Sequence, residues 1–269
     1  MIVVCCALYF EAKPVITALD LKRCNENRFV EEYANEDNTI RLIITGVGEV
    51  KAASSCSTEL TYLSLLYPQT TIHLVNVGTC AGREVVKGEL FVINKITEQN
   101  TGRDFYPDML YKVNLNEMPI ICSSKPVKDI ETDFVYDMES SGIFTSGSSF
   151  LSPDRITILK VVSDSGDYEE VTPKVIKRAI EGTIDQIKDV ILFLQTTTIG
   201  ENNKIDSDKF EKACNRLCLT TAMQNNFKQL LKYASLTGKN TDDILDKMPE
   251  VTSKKQGKEI LDELRNELI

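Results

Sequence analysis

Short apolar runs rich in β-branched residues alternate with segments of helical periodicity along most of the chain. Because the strand-like runs are apolar at nearly every position, we expect strands that are covered on both faces. The alternation predicts a three-layer α/β fold in which helices flank a central mixed or mostly parallel sheet. The predicted strands are residues 2–8, 39–45, 71–77, 89–96, 119–122 and 157–162, and the predicted helices are residues 13–19, 50–67, 136–146 and 173–195.

The pattern changes after a polar segment, residues 199–204, which contains Gly200 and is a predicted linker. Beyond it the apolar residues follow helical spacing in short stretches. The predicted amphipathic helices are residues 206–219, 222–236, 241–247 and 254–268, with Asp206 and Asn240 as caps and Gly238 and Pro249 as breaks.

This change of pattern predicts two domains. Residues 1–198 are expected to form the α/β domain, and residues 199–269 a small helical C-terminal extension. Packing on the α/β domain and mediating association are both open roles for the extension.

Composition and charge exclude several classes of partner. The chain is 42% hydrophobic and 26% charged, as expected for a soluble globular protein. A formal net charge of −9 disfavours nonspecific binding of nucleic acid, which needs clustered Lys and Arg. No run approaches the ~20 apolar residues of a membrane span, so no membrane partner is expected. The apolar residues 1–10 lack a basic n-region and a cleavage site, which favours a first strand over a secretory signal.

The cysteines and the single histidine favour structural roles. The chain has 8 cysteines, mostly inside apolar runs, and no C-x-x-C pair. This is typical of reduced, buried cysteines in a cytoplasmic protein, and neither a metal nor a cofactor is expected. His73 lies in the apolar run 71–77, so we expect it to be structural and acid–base chemistry to fall on carboxylates.

Two glycine motifs follow predicted strands. In Thr45-Gly-Val-Gly-Glu the glycines precede a helix, where backbone amides can face a ligand, although a simple turn explains them equally well. The third glycine of a dinucleotide fingerprint is replaced by Lys51, which weakens a dinucleotide-binding oxidoreductase interpretation. In Val75-Asn-Val-Gly-Thr-Cys-Ala-Gly, the strand end is either a ligand-binding loop or a tight turn.

Three carboxylates stand at predicted element ends, and each has a structural alternative. Glu11 follows the first strand and could be a first-turn carboxylate before Pro14. Glu139, in Asp137-Met-Glu-Ser-Ser-Gly, could be a helix-dipole partner. Asp164, in Val161-Val-Ser-Asp-Ser-Gly-Asp, could be a turn cap.

The order of these motifs along one chain resembles the purine nucleoside phosphorylase superfamily, and within it the methylthioadenosine/S-adenosylhomocysteine nucleosidases. The resemblance covers about residues 1–195 and leaves out the helical tail. It implies a phosphorylase/hydrolase-like fold, cleavage of the N-glycosidic bond of a purine nucleoside, and a homo-oligomer, with a dimer favoured. The implied substrate is a nucleoside such as methylthioadenosine or S-adenosylhomocysteine.

The resemblance also implies roles for individual residues. Asp164, beside Ser163, would protonate or hydrogen-bond the five-membered ring of the departing purine. Glu139 would bind the ribose hydroxyls, with Met138 packing beside the sugar, and Glu11 would activate water. Paired carboxylates in different environments can divide such acid and base roles. The other predicted substrate-binding residues are Asn76, Gly78 and Thr79.

The cations of the site decide whether water or phosphate is the nucleophile. Hexameric phosphorylases of the superfamily carry an arginine where this chain has Asn76, and the early loop here lacks their second arginine. A phosphate without arginine partners is poorly held, which favours water. Lys13 and Lys51 leave a phosphorylase as the alternative.

The chain departs from the family in its middle. The stretch 98–138 is shorter, the segment 122–127 lacks the aromatic residue expected to stack on the purine, and Lys160 replaces an arginine. The polar and aromatic segment 101–108 either reaches the site or is a surface loop. The shortened middle and the helical tail motivate a third hypothesis, a non-catalytic nucleoside-binding protein.

Overall fold

The structure is a computed structural model that describes residues 1–68, 70–128, 130–167, 171–200, 207–236 and 239–268. The chain divides into two compact units, Met1–Gly200 and Glu201–Ile269. The first unit is a mixed sheet flanked by helices, so the predicted α/β fold is confirmed. Within the described residues, no helix combines the length and the apolar character that crossing a membrane requires.

The strands and helices of the first unit alternate along the chain. The strands are β1 (Ile2–Cys6), β2 (Lys22–Cys24), β3 (Glu31–Ala34), β4 (Ile40–Ile44), β5 (His73–Gly82), β6 (Leu90–Glu98), β7 (Arg103–Phe105), β8 (Asn116–Cys122), β9 (Val135–Asp137) and β10 (Ile156–Asp164). The helices are α1 (Tyr9–Ala18), α2 (Glu49–Leu66), α3 (Ser140–Gly147), α4 (Pro173–Gly182) and α5 (Ile184–Gly200), with a 3₁₀ turn at Pro153–Arg155.

The sheet is organised around β5. This strand pairs in parallel with β1 and β10, and β1 continues through β4 and β3 to the edge strand β2. On the other side, β5, β10, β6, β8 and β9 pair in a closed ring. The parallel strands β1, β5 and β10 therefore end at one edge of the sheet, where open α/β sheets bind their ligands.

Alternate residues of each central strand feed two separate cores. In β1, Ile2 and Val4 pack in the core formed with α1, α4 and α5. Val3 and Cys5 point the other way, into the core formed with α2 and α3. The period-two alternation of a strand buried on both faces explains why the run is apolar throughout.

Two sequence predictions about the first half need correction. The first helix begins at Tyr9, not at residue 13, because Glu11 caps its first turn, and Pro14 lies inside the helix. The segment from Asn76 to Gly82 is not a turn but the second half of β5, because β10 and β9 pair with it on both sides. Tertiary pairing here outweighs the weak strand propensity of glycine.

Two further predictions about helices are wrong in their bounds. The predicted helix 136–146 is divided: Val135–Asp137 is β9, Glu139 is the N-cap position and α3 starts at Ser140. The predicted helix 173–195 is two helices that meet at Thr183, and the second continues to Gly200, into the predicted linker. The short polar strands β2, β3 and β7 were not predicted.

His73 has the structural role that the sequence predicted. It begins β5, its ring is fully buried, and Nε2 lies 2.9 Å from the Thr157 hydroxyl. Burial, helped by the Arg155 charge, lowers the pKa of His73 to about 3. A neutral histidine inside the sheet leaves acid–base chemistry to other groups.

The second unit has its own apolar core of helices, built around Leu217, Phe227 and Leu231. The Asn240 carboxamide caps a helix as predicted, accepting from the amides of Asp242 and Asp243. The predicted cap Asp206, the break Gly238 and linker residues 201–204 lie outside the described residues. The helices are α6 (Ser207–Arg216), α7 (Thr221–Leu236), α8 (Thr241–Asp246) and α9 (Lys254–Leu268).

Candidate active site

A cluster of charged side chains lies where β1, β5 and β10 end and where α1, α2 and α3 begin. On the sheet, Lys160 of β10 is the cross-strand neighbour of Gly78 on β5. Glu11 in the first turn of α1 reaches the same place, because its carboxylate contacts Thr79.

Glu11 is held by four hydrogen bonds and is 3% exposed. Oε2 accepts from the amides of Ala7 and Leu8, both at 3.1 Å, as the third helical residue does in a capping box. Oε1 accepts from the Thr79 amide at 2.8 Å and from the Thr79 hydroxyl at 3.0 Å. These donors fill the acceptor positions of the carboxylate, so Glu11 can take a proton only after one of them leaves.

Lys160 and Asp137 form a buried ion pair at the centre of the cluster. The Lys160 ammonium lies 2.8 Å from Asp137 Oδ2, and both side chains are almost completely buried. Burial alone would lower the pKa of Lys160, but the charges of Asp137, Glu139 and Glu11 raise it above its ordinary value. Lys160 is therefore charged at neutral pH.

Gly78 makes room for this pair beside Glu11. A Cβ atom at residue 78 would lie 3.1 Å from the Lys160 Nζ and 3.2 Å from Glu11 Oε1. The Lys160 Nζ and Glu11 Oε1 therefore both pack against Gly78, which has no side chain. The glycine is required for space, and its backbone is not in the left-handed region.

Glu139 joins α3 to the start of α2. Its Oε1 accepts a hydrogen bond of 2.8 Å from the Gly48 amide. The two helices approach so closely that a Cβ on Gly142 would lie 2.3 Å from the carbonyl oxygen of Glu49. Burial, with the Asp137 charge, raises the pKa of Glu139 to about 7, although Lys160 and the Gly48 amide oppose the shift. Glu139 can therefore exchange a proton near neutral pH.

Asp164 ends β10 at an irregularity in the strand. The register shifts between Val162 and Asp164, so Ser163 is the extra residue of a β-bulge. The Ser163 hydroxyl donates to Asp164 Oδ2 at 2.8 Å, and the Gly166 amide donates to Oδ1 at 2.9 Å. Bulges of this kind commonly re-aim a side chain next to an active site.

The structure brings most of the predicted residues together around Cys80. Burial raises the pKa of this thiol, and the charges of Asp137, Asp164 and Glu11 raise it further, while Lys160 lowers it. Four charged side chains therefore lie within electrostatic range of one residue of β5. Gly78 and Thr79 precede that residue, and Met138 is half-buried between the paired Asp137 and the N-cap Glu139.

Asn76 and the segment 101–108 lie elsewhere. The Asn76 amide group donates to the Cys5 carbonyl across the sheet, inside the strand and 2% exposed. The charged Asp104 in β7 pairs with Lys95 and accepts from Thr97 on the exposed face of β6. Neither the Asn76 contact nor the Asp104 contacts involve the cluster of charged side chains.

The Lys160–Asp137 pair is the part of the site that sequence reasoning missed. Lys160 was noted only as a replacement for arginine, and Asp137 only as a neighbour of Glu139. A lysine in the middle of an apolar strand was the available signal, because a buried ammonium needs a carboxylate partner. Among the described residues, no group of three histidine, cysteine or acidic side chains could hold a metal ion.

The fold is similar to that of solved enzymes of one kind. The α/β unit matches structures of methylthioadenosine/S-adenosylhomocysteine nucleosidases and of futalosine hydrolase. No protein-family model and no curated protein sequence matches the chain. The predicted resemblance is confirmed at the level of the fold.

The particular structures that match are distant in sequence. A mutant of the Helicobacter pylori nucleosidase MTAN, with 5′-methylthioadenosine in its active site, is 11% identical, with a TM-score of 0.57 over 71% of this chain and 97% of that chain. Futalosine hydrolase of Helicobacter pylori is 12% identical, with a TM-score of 0.54 over 71% and 96%. The Arabidopsis thaliana 5′-methylthioadenosine nucleosidase is 16% identical, with a TM-score of 0.54 over 71% and 94%.

Proposed function

We propose that this protein is an N-glycosyl hydrolase that cleaves the base–ribose bond of a purine nucleoside, with methylthioadenosine and S-adenosylhomocysteine as the first substrates to test. The observation that carries the proposal is the convergence of Glu11, Glu139 and the Lys160–Asp137 pair at the ends of β1, β5 and β10. Carboxylates in different environments are what cleavage through an oxocarbenium-like sugar requires.

In this mechanism Asp164 protonates the leaving purine. Ser163 and Gly166 hold its two oxygens, so the carboxyl group has a fixed direction. Glu139, with one oxygen bound to Gly48, offers the other to the ribose hydroxyls, and Met138 packs beside the sugar. A positioned acid contributes roughly 10²- to 10⁴-fold to such a reaction.

Glu11 activates the attacking water once Thr79 releases it. The Thr79 hydroxyl is the donor that can leave most easily, since it rotates about one bond while the three amides are fixed in the backbone. The freed hydroxyl can then accept from, or donate to, the same water. Thr79 thereby acts in water activation beside Glu11.

The contacts and positions of the nearby cations support water rather than phosphate as the nucleophile. Lys160 is already bound to Asp137, and Asn76 is turned into the sheet. Lys13 and Lys51 are exposed, and the Lys51 stem packs against Gly46. A divalent anion would have to compete with a buried carboxylate for the Lys160 ammonium.

We also propose that the protein acts in the cytoplasm as a homodimer. Its support is an apolar patch next to the site, formed by Tyr9, Phe10, Val47 and Val50, which are 41%, 41%, 41% and 82% exposed. The two loops that carry these residues are joined by a hydrogen bond from the Gly46 amide to the Ala7 carbonyl. Exposed apolar patches commonly mark association sites. Light scattering of the purified protein tests the dimer.

A panel of purine nucleosides tests the proposed activity against a non-catalytic binder. Wild-type protein and the Asp164→Asn variant are each incubated with methylthioadenosine, S-adenosylhomocysteine, adenosine and futalosine, and the released base is measured by chromatography. Calorimetry measures binding of the same nucleosides. Base release by the wild type, with binding but little release by the variant, supports the proposal. Binding without any release by the wild type would make the protein a binder and sink it.

A further inference from the structure

The residue that holds Asp164 itself packs against another part of the chain. The Gly166 amide donates to Asp164 Oδ1, and Gly166 lies against the side chain of Ile130 in the connection between β8 and β9. We propose that Ile130 is a positioning residue, which fixes the direction of the Asp164 carboxyl through Gly166. Ile130 is not assigned a contact with the substrate. For its effect on activity, the inference rests on the proposed function.

Gly166 is in close contact with the β8–β9 connection. A Cβ on Gly166 would lie 2.8 Å from Ile130 Cδ1, 3.0 Å from Ile130 Cγ1 and 3.1 Å from the Lys128 carbonyl oxygen. Gly166 also has a φ of +95°, in the left-handed region that favours glycine. This backbone directs the Gly166 amide at the carboxylate two residues earlier, as in an Asx-turn. Both the space and the conformation at residue 166 therefore require glycine.

Ile130 is buried by its loop rather than by a core. It is 4% exposed, yet it belongs to neither of the two apolar cores that the structure describes in the α/β unit. The next residue, Glu131, donates its amide to the Tyr136 hydroxyl of β9 at 3.4 Å. Because β9 is part of the sheet, this bond braces the loop beside Ile130. The contact with Gly166 then extends that support to the acid.

The two constraints on the Asp164 carboxyl differ in rigidity. The Ser163 hydroxyl that donates to Oδ2 rotates about one bond, whereas the Gly166 amide is fixed in the backbone. The position of Gly166 therefore sets the direction of the carboxyl. A misplacement of about 1 Å in a catalytic group can cost roughly 100-fold in rate. Truncating Ile130 lets Gly166 move, so the acid is affected without any change at a substrate contact.

The test compares Ile130→Ala with Ile72→Ala in the full chain. Ile72 is a similarly buried isoleucine of the core formed with α2 and α3, and it precedes β5 at the end away from the site. We expect Ile130→Ala to speed hydrogen exchange of the Gly166 amide, followed by NMR, at least about tenfold. It should lower kcat about tenfold and change KM by less than about twofold. Ile72→Ala should lower the melting temperature and leave kcat and Gly166 exchange unchanged.

A double variant shows whether Ile130 acts through the acid. In the Asp164→Asn background there is no carboxyl proton to direct, so Ile130→Ala should change the residual kcat less than about twofold. An equal fold loss in both backgrounds, or unchanged Gly166 exchange in Ile130→Ala, overturns the inference. If Ile130→Ala does not fold, Ile130→Val removes only Cδ1 and is held to the same outcomes. If the wild type cleaves no nucleoside, the proposed function fails, while Gly166 exchange still decides whether Ile130 fixes Gly166.

Discussion

Two of the buried cations in the α/β unit, Arg41 and Lys160, are neutralised in different ways. Arg41 of β4 is fully buried and binds three carboxylates: Nε contacts Glu59, Nη1 contacts Glu26 and Nη2 contacts Glu32. Asn27 completes the network, because its side chain donates to Glu59 and its backbone amide to Glu32. The planar guanidinium suits such a saturated network, in which the buried polar groups are satisfied.

Lys160 is neutralised by one direct partner, and the groups around it keep capacity for a ligand. Asp137 provides the ion pair, and Glu139 accepts a single described hydrogen bond, from Gly48. Burial and the Asp137 charge raise the pKa of Glu139 to about 7, so its charge changes near neutral pH. The contrast shows that a saturated buried network is structural, whereas an unsaturated one at strand ends is a candidate for catalysis.

The largest expected effect is at Asp164. Replacing Asp164 with Asn removes the proton that the leaving purine needs, and we expect kcat to fall roughly 10²- to 10⁴-fold. Asn keeps the size of the side chain and its acceptor for Gly166, so the melting temperature should change little. Steady-state kinetics and thermal unfolding measure the two quantities. A variant that keeps wild-type kcat would remove Asp164 from the mechanism.

Arg41→Met should have the opposite effects, a large loss of stability and no change in activity. Removing one partner leaves buried carboxylates uncompensated, which costs about 3 to 5 kcal/mol of unfolding free energy. The loss should be greater at pH 8 than at pH 5, because burial raises the pKa of Glu59 and its carboxylate is more fully charged at the higher pH. Denaturant unfolding measures it, and kcat/KM of the remaining folded protein should be unchanged. Loss of activity without loss of stability would break the comparison between the two cations.

Glu139→Gln should change how stability depends on pH. The pKa of Glu139 is raised from 4.5 to about 7 in the folded protein. The fold is therefore destabilised progressively as the pH rises from about 4.5 to about 7, and the cost is constant above that range. At pH 8 the variant should be more stable than the wild type by up to about 3 kcal/mol, and the difference should vanish at about pH 4 and below. A difference that is constant with pH contradicts the assignment.

Thr79→Val should have the smallest effect of the four. The variant keeps the shape and the amide bond to Glu11 but loses the hydroxyl at 3.0 Å. If that hydroxyl passes between Glu11 and water, kcat should fall about tenfold, equivalent to about 1.4 kcal/mol. Thr79→Ser keeps the hydroxyl and serves as the matched control. Equal activity in both variants would remove the hydroxyl from water activation.

The sequence predicted the parts of the fold that depend on local pattern. The strand predicted at residues 2–8 appears as Ile2–Cys6, which is buried throughout, and the helix predicted at residues 50–67 appears as Glu49–Leu66, which buries one apolar face. The strands β2 and β3 were missed because they are polar. The buried carboxylate of Glu32 in β3 is satisfied by Arg41 and by the Asn27 amide, and the local sequence does not reveal these contacts.

The candidate site was predicted in a similar way. Glu11, Glu139 and Asp164 were predicted from the order of their motifs along the chain, and all three lie at the charged cluster. The Lys160–Asp137 pair was missed because it joins β10 to β9 through space. Asn76 was predicted to bind substrate, but its amide is used to bind the Cys5 carbonyl within the sheet. The residue pattern within one strand does not determine which residues of a neighbouring strand its side chains will contact.

The most direct test of the account is the release of adenine from methylthioadenosine by wild-type protein in phosphate-free buffer. Chromatography measures the free base, and mass spectrometry identifies the sugar product with and without added phosphate. We predict equal amounts of adenine and free methylthioribose, at a rate that phosphate does not change. Adenine released only in the presence of phosphate, together with a sugar 1-phosphate, would contradict hydrolysis and make the protein a phosphorylase.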